Sequence, residues 1–127
     1  MALSDAKVEP AIAVSDMAKA KEFYEGKLGL SNGEEQGDGG ITYPAGGGTS
    51  IHVYPSENAG KSSATLAGWI VEDVEGEVDE LVGKGVTMEQ YGDPFNTNEK
   101  GIAEFEGGMK TAWFKDPDGN THGLGNF

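Results

Sequence analysis

Short runs in which apolar and polar residues alternate make up most of this chain, and two runs with helical spacing interrupt them. Residues 8–14 alternate: Ile12 and Val14 fall on one face, Glu9, Ala11 and Ala13 on the other, which predicts a strand. Ser15 and Asp16 then offer a helix cap, and Met17, Ala20, Phe23, Tyr24 and Leu28 recur on one helical face until Gly29 ends the pattern. Further strands are expected at residues 31–36, 41–43 and 49–54, separated by Gly37-Asp38-Gly39-Gly40 and Gly46-Gly47-Gly48. The first half therefore reads β-α-β-β-β.

Residues 56–64 are small and polar, as in a connector, and beyond them the order restarts. Residues 66–71 are strand-like. Asp73 can cap a helix whose inner face is Val74, Val78, Leu81 and Val82, ending near Gly85. Residues 86–91 predict a third element. Ala112 to Lys115 and Asn120 to Leu124 predict the last two strands, joined by Asp116-Pro117-Asp118-Gly119, where proline presets φ and glycine accepts a positive one. Ala13-Val14-Ser15-Asp16-Met17 overlies Ile70-Val71-Glu72-Asp73-Val74, so the plan is a doubled module. The expected fold class is α+β, with two βαβββ modules forming a cupped, partly open mixed sheet and helices on its outer face. One domain spans 1–127, with module one at about 7–55, the connector at 56–64 and module two at about 65–127. Residues 92–108 have no counterpart in the first half. They carry Pro94, Phe95, Ile102 and Phe105, whose apolar surface must be covered, either as a lid over the cup or as a dimer contact.

Composition narrows the field of partners. A net charge of −13 repels phosphate backbones and anionic lipid, which argues against nucleic acid or a membrane as partner and favours a cationic or neutral ligand. Cysteine is absent, which excludes a thiolate nucleophile, a disulfide framework and cysteine-ligated metal. No apolar run approaches a membrane span and residues 1–7 lack the pattern of a signal peptide, so a cytoplasmic location is expected. The three consecutive glycines lack the Lys-Ser/Thr of a phosphate loop, and nothing suggests a Ser-His-Asp set.

Three segments resemble the vicinal oxygen chelate superfamily, the glyoxalase / bleomycin-resistance / dioxygenase group. They are Val14-Ser15-Asp16-Met17 with Phe23-Tyr24 and Leu28-Gly29-Leu30, the helix of the second module, and Trp113-Phe114-Lys115-Asp116-Pro117-Asp118-Gly119-Asn120. The resemblance implies that each module curls four strands into half a cup. Metal-dependent members place one ligand on the first and one on the last strand of each module. Carried over, those positions are Glu9 and His52 in module one, Leu66 and Gly123 in module two. Leu66 cannot donate and Gly123 has no side chain, so a metal centre of the family type falls short of the roughly three protein ligands a catalytic zinc takes. A one-residue slip in the last strand would exchange His52 for Ile51 or Val53, or bring in His122, and would still leave the set short. The family also commonly completes its cup as a homodimer, within one chain or across two.

The expected ligand-binding residues are Glu9, His52, Tyr54, Trp113 and Phe95, with no cofactor. His52 and Tyr54 share the strand face opposite Ile51 and Val53, while Tyr43 and Tyr91 lie on or near the same inner strands. Trp69 has the parity of Val71 and belongs beneath a helix; Trp113 belongs either to the core or to the pocket. His122 has the parity of Leu124, towards the helices or solvent. The leading expectation is a metal-free protein binding a small organic molecule in the cup. The alternative is a lyase, isomerase or epimerase with Glu9 as catalytic base, possibly with a divalent metal held by Glu9, His52 and waters. A third reading is an interaction module with a vestigial cup.

Overall fold

The computed structural model describes residues 2–127. It contains two four-stranded mixed sheets, each from one half of the chain, and the doubled β-α-β-β-β plan is present. The first sheet has the order β1 (Ala11–Val14), β4 (Ser50–Pro55), β3 (Ile41–Pro44), β2 (Glu34–Glu35); the second has β5 (Thr65–Ile70), β8 (Thr121–Gly125), β7 (Lys110–Lys115), β6 (Ile102–Glu104). In both, the first strand runs parallel to the last and the other pairs are antiparallel.

Helix α1 (Met17–Lys21) begins where the Asp16 carboxylate accepts from the Ala18 and Lys19 amides. It widens over Glu22–Lys27 into a π segment, closed by Leu28 N–H donating to Phe23 O at 3.0 Å. That segment carries Phe23 and Tyr24, both buried. Helix α2 (Val74–Gly83) starts on Asp73, whose carboxylate accepts from the Gly76 amide, and buries Val74 and Val78. The helix-side residues of both sheets enter one core: Ile12, Val14, Ile51 and Val53 from the first, Ala67, Ala112, Phe114 and Leu124 from the second. Period-two alternation then directs the opposite face of each sheet away from that core.

Three expectations change. The strand at 31–36 contracts to Glu34–Glu35. The strand at 86–91 contracts to one bridge between Met88 and Phe114, because from Tyr91 onwards the backbone bonds to its own loop: Tyr91 N–H to Thr97 Oγ1, Thr97 N–H to Tyr91 O and Asn98 N–H to Ile102 O. The outer strand resumes as β6, inside the segment read as an insertion. That segment is an excursion in the edge of the second sheet. Third, Tyr43 lies on the helix side, buried, with its hydroxyl donating to Glu25 at 2.7 Å. Burial and the Glu25 bond push its pKa up.

Candidate functional site

His52 sits in β4, flanked by β1 and β3. Ile51 and Val53 enter the core, which turns His52 and Tyr54 outwards, where their rings stack at 5.7 Å with 6° between planes. Both imidazole nitrogens are engaged. Nε2 lies 2.7 Å from Asp38 Oδ2, and Nδ1 lies 3.1 Å from the hydroxyl of Thr42, its cross-strand partner. Because the carboxylate only accepts, the ring proton is placed on Nε2, and Nδ1 accepts from Thr42. The hydrogen bond from His52, followed by that from the Gly40 amide, holds the Asp38 carboxyl below the usual range. Glu9 lies at the rim and accepts from Ser50. Together Glu9, Gln36, Gly37, Asp38, Thr42 and His52 line an open concavity of about 530 Å³, all from the first half of the chain.

The second sheet presents a different face. Gly68, Gly123 and Trp113 lie side by side across β5, β8 and β7. The 92–108 excursion folds over this face, bringing Tyr91 and Phe95 against Trp113 at ring separations of 5.3 and 5.1 Å, with Phe105 behind Phe95 at 6.1 Å. Trp113 is therefore a half-buried residue of the open face, whereas Trp69 packs against the core as its parity indicates.

The alignment of the two halves holds from Ala11 and Gly68 onwards; before that a bulge in β5 puts Thr65, not Leu66, opposite Thr121. Ala11 pairs with His52, and its counterpart Gly68 pairs with Gly123. Of the predicted residues, Glu9, His52 and Tyr54 come together on the first sheet, and Trp113 and Phe95 on the second. Leu66 is partly exposed and Gly123 offers no donor. Among the described residues no three His, Cys, Asp or Glu side chains converge as a metal site. With Leu66 and Gly123 at two of the four positions, the residues do not fit the metal that the fold family uses.

Sequence reasoning missed the braces of His52. Thr42 was findable, since it and His52 stand symmetrically about Gly47 in one hairpin. Asp38 carried no signal beyond a turn composition.

It also missed a buried network on the helix side. Trp69 Nε1–H can only donate, and it donates to His122 Nδ1 at 3.1 Å. His122 Nε2 must then carry the ring proton, which it gives to the Tyr24 hydroxyl at 2.8 Å; Tyr24 in turn donates to Asp116 Oδ2 at 2.7 Å. Asp116 also accepts from Asn120 Nδ2 and from the Asp118 and Asn120 amides. Phe114 stacks flat on the imidazole at 5.1 Å. Burial, resisted by the Asp116 charge, lowers the His122 pKa from 6.5 to about 4, so the ring is neutral at pH 7. Burial, then Asp116, pushes the Tyr24 pKa up. The network is shut away from both open faces. Its chemistry is that of a structural clasp.

Fold and faces together define a protein of paired βαβββ modules, each offering one open sheet face. The model of the Glyoxalase/Bleomycin resistance protein/Dioxygenase superfamily matches residues 8–123, and the chain belongs to that superfamily. Similar solved structures include a glyoxalase / bleomycin resistance protein from Catenulispora acidiphila, with 19% identity, TM-score 0.71, and 94% of this chain and 96% of that one covered. A second, from a Streptomyces species, has 25% identity, TM-score 0.62 and coverages of 90% and 94%. A lactoylglutathione lyase from Agrobacterium tumefaciens has 17% identity, TM-score 0.66 and coverages of 95% and 92%. No curated protein matches the chain in sequence. No helix among the described residues is long and apolar enough to cross a membrane.

Proposed function

We propose that this chain is a metal-free member of the superfamily that binds a small organic molecule, neutral or cationic, against its open sheet faces. The observation that carries this reading is the His52–Tyr54 stack, braced by Asp38 and Thr42 at the wall of a wide concavity. A pre-positioned aromatic pair with a few fixed polar groups is what small-molecule sites use. Because that concavity takes its lining from one half of the chain, a homodimer supplies the facing wall from a second copy. Surface area supports this. The chain exposes 7615 Å², against roughly 6,450 Å² for a typical monomer of its mass. The excess, about 1,150 Å², exceeds what one partner of a standard-sized interface covers.

The alternative enzyme reading, a lyase, isomerase or epimerase, rests on Glu9, an exposed carboxylate at the rim within reach of anything lying on His52. One set of measurements separates the two. Elemental analysis and melting with and without Zn²⁺, Ni²⁺, Mn²⁺, Fe²⁺ and Mg²⁺ precede a thermal-shift screen of organic compounds, since a ligand of the native state must raise Tm by mass action. The binding reading expects no stoichiometric metal, an organic hit lost in His52→Ala, and retained binding in Glu9→Gln. A stoichiometric metal lost in Glu9→Ala and His52→Ala, or turnover abolished by Glu9→Gln, would replace it with the enzyme.

A further inference from the structure

Helix α2 covers the second sheet unevenly. Its first turns bury Val74 and Val78, but one turn further on Leu81 is only partly covered and Val82 is 54% exposed. Across from it the π segment ends at Leu28, which is also only partly covered. Between them, on the helix side of the sheet, lies a cavity of about 100 Å³. Trp69 of β5, Phe114 of β7 and Leu124 of β8 form its floor, and Leu28, Val71 and Leu81 its walls. Four of these six, Leu28, Trp69, Val71 and Leu81, are apolar side chains that pack against the core without being fully buried by it. An apolar group filling the space would take their remaining surface out of water and supply the dispersion contacts that the void lacks.

A second observation concerns charge. The one charged side chain lining the cavity is Glu77, one turn before Leu81 and on the same helix face. It is exposed, and among the described residues its carboxylate has no ion-pair partner. Its acidic neighbours on α2 are engaged: Glu75 with Lys110, Asp79 with Lys100 and Glu80 with Lys84. The net charge of −13 adds to the pull on a cation at this spot.

We propose that this helix-side cavity binds a short aliphatic amine in its ammonium form. The alkyl group fills the space between Leu28, Leu81 and Trp69, and the ammonium pairs with the Glu77 carboxylate at the rim. Volume sets the size: a dry cavity of about 150 Å³ holds benzene, so this smaller one suits an alkyl chain of about four carbons. The site lies on the opposite side of the sheet from the open faces, and it stands or falls independently of what those faces bind.

The probes are isobutylammonium, its neutral counterpart isobutanol and its anionic counterpart isovalerate, titrated at low salt and followed by NMR. The two indole N–H groups separate the two sides of the second sheet, since Trp69 floors the cavity and Trp113 belongs to the open face. Isobutylammonium is expected to shift the Trp69 indole and the Val71 and Leu81 amides saturably, with millimolar half-saturation as befits so few heavy atoms, and to leave Trp113 unmoved. Glu77→Gln should weaken the amine about two- to fivefold, the scale of an exposed ion pair, without changing the affinity of isobutanol. Isovalerate should bind more weakly than either. Leu81→Phe, which puts a ring into the space, should abolish the Trp69 shift; Val71→Leu, which adds one methylene there, should weaken binding and serves if the first variant does not fold. Shifts centred on Trp113, His52 and Tyr54 would put the amine in the cup, overturning this site and leaving the cup reading standing. Equal affinity for amine and alcohol, or no loss in Glu77→Gln, overturns the amine assignment. No saturable shift of Trp69 with any of the three probes overturns the site, whatever the open faces bind.

Discussion

Acidification should weaken this fold through His122. In the unfolded chain the imidazole takes its proton near pH 6.5; in the folded chain it holds out to about pH 4. Between those values the unfolded state binds the extra proton, so stability is full above pH 6.5 and falls as pH drops towards 4. By pH 4.5 the loss from this one group is about 2.5 kcal/mol, a quarter or more of the stability of an ordinary domain. The structural reason is that neither ring nitrogen can carry a new proton where it stands: Nδ1 already accepts from Trp69, and the ring is sealed by Phe114 and Tyr24. His122→Gln keeps an acceptor for Trp69 and a donor for Tyr24 but does not titrate. Urea denaturation of both proteins at pH 7 and pH 4.5 isolates the histidine from the many surface carboxylates. The unaltered chain should lose about 2.5 kcal/mol more than the variant. Equal losses, or an NMR titration of His122 with a midpoint near 6.5, would refute this account of the clasp.

Two further predictions follow from described contacts. Tyr24→Phe strips the hydroxyl that joins His122 to Asp116, leaving a buried N–H unpaired, and should cost about 2–3 kcal/mol by urea denaturation; a change below about 0.5 kcal/mol would show that water replaces the hydroxyl. The net charge of −13 makes the folded chain repel itself, and its ion pairs, such as Lys100–Asp79, are largely exposed and weak. Raising NaCl from about 0.05 M to about 1 M should therefore raise the urea midpoint, and a fall would mean that the exposed pairs matter more than the repulsion.

The sequence was most legible where a side chain's direction follows from period two and where a turn has strict chemistry. The outward His52 and Tyr54, the inward Trp69 and the hairpin through Asp116-Pro117-Asp118-Gly119 all came from such local rules. The resemblance of the two halves then gave the doubled order of elements, while the pairing of strands within each sheet came from the structure. What escaped was decided by distant partners. The edge of the second sheet looks like one strand at 86–91, yet its backbone donors find nearer acceptors within the excursion and the strand breaks. Tyr24, Trp69, Asp116 and His122 are each unremarkable in sequence, and only tertiary packing joins them. The same is true of Asp38, a turn residue whose carboxylate happens to reach His52. The ring of Phe127, which packs against Gly125 and Gly68, was equally hidden, since neither glycine signals a partner in sequence.

The turn after β7 has one more consequence. Besides reversing the chain, it reaches the other half: Asp118 accepts from the Ser15 amide and hydroxyl at 3.1 and 2.5 Å, and Asn120 Nδ2 donates to Ala13 O at 2.7 Å. These partners stand 103 and 107 residues apart in the chain. Contacts of such separation close a large loop, whose entropy is lost before the contact returns anything, so they are expected to form after the hairpins. The two hairpins have no such wait. Folding of this chain is then a matter of two locally assembled halves finding each other late. The turn shares the joining of the halves with Tyr24, whose hydroxyl bonds Asp116 and His122 across the same divide.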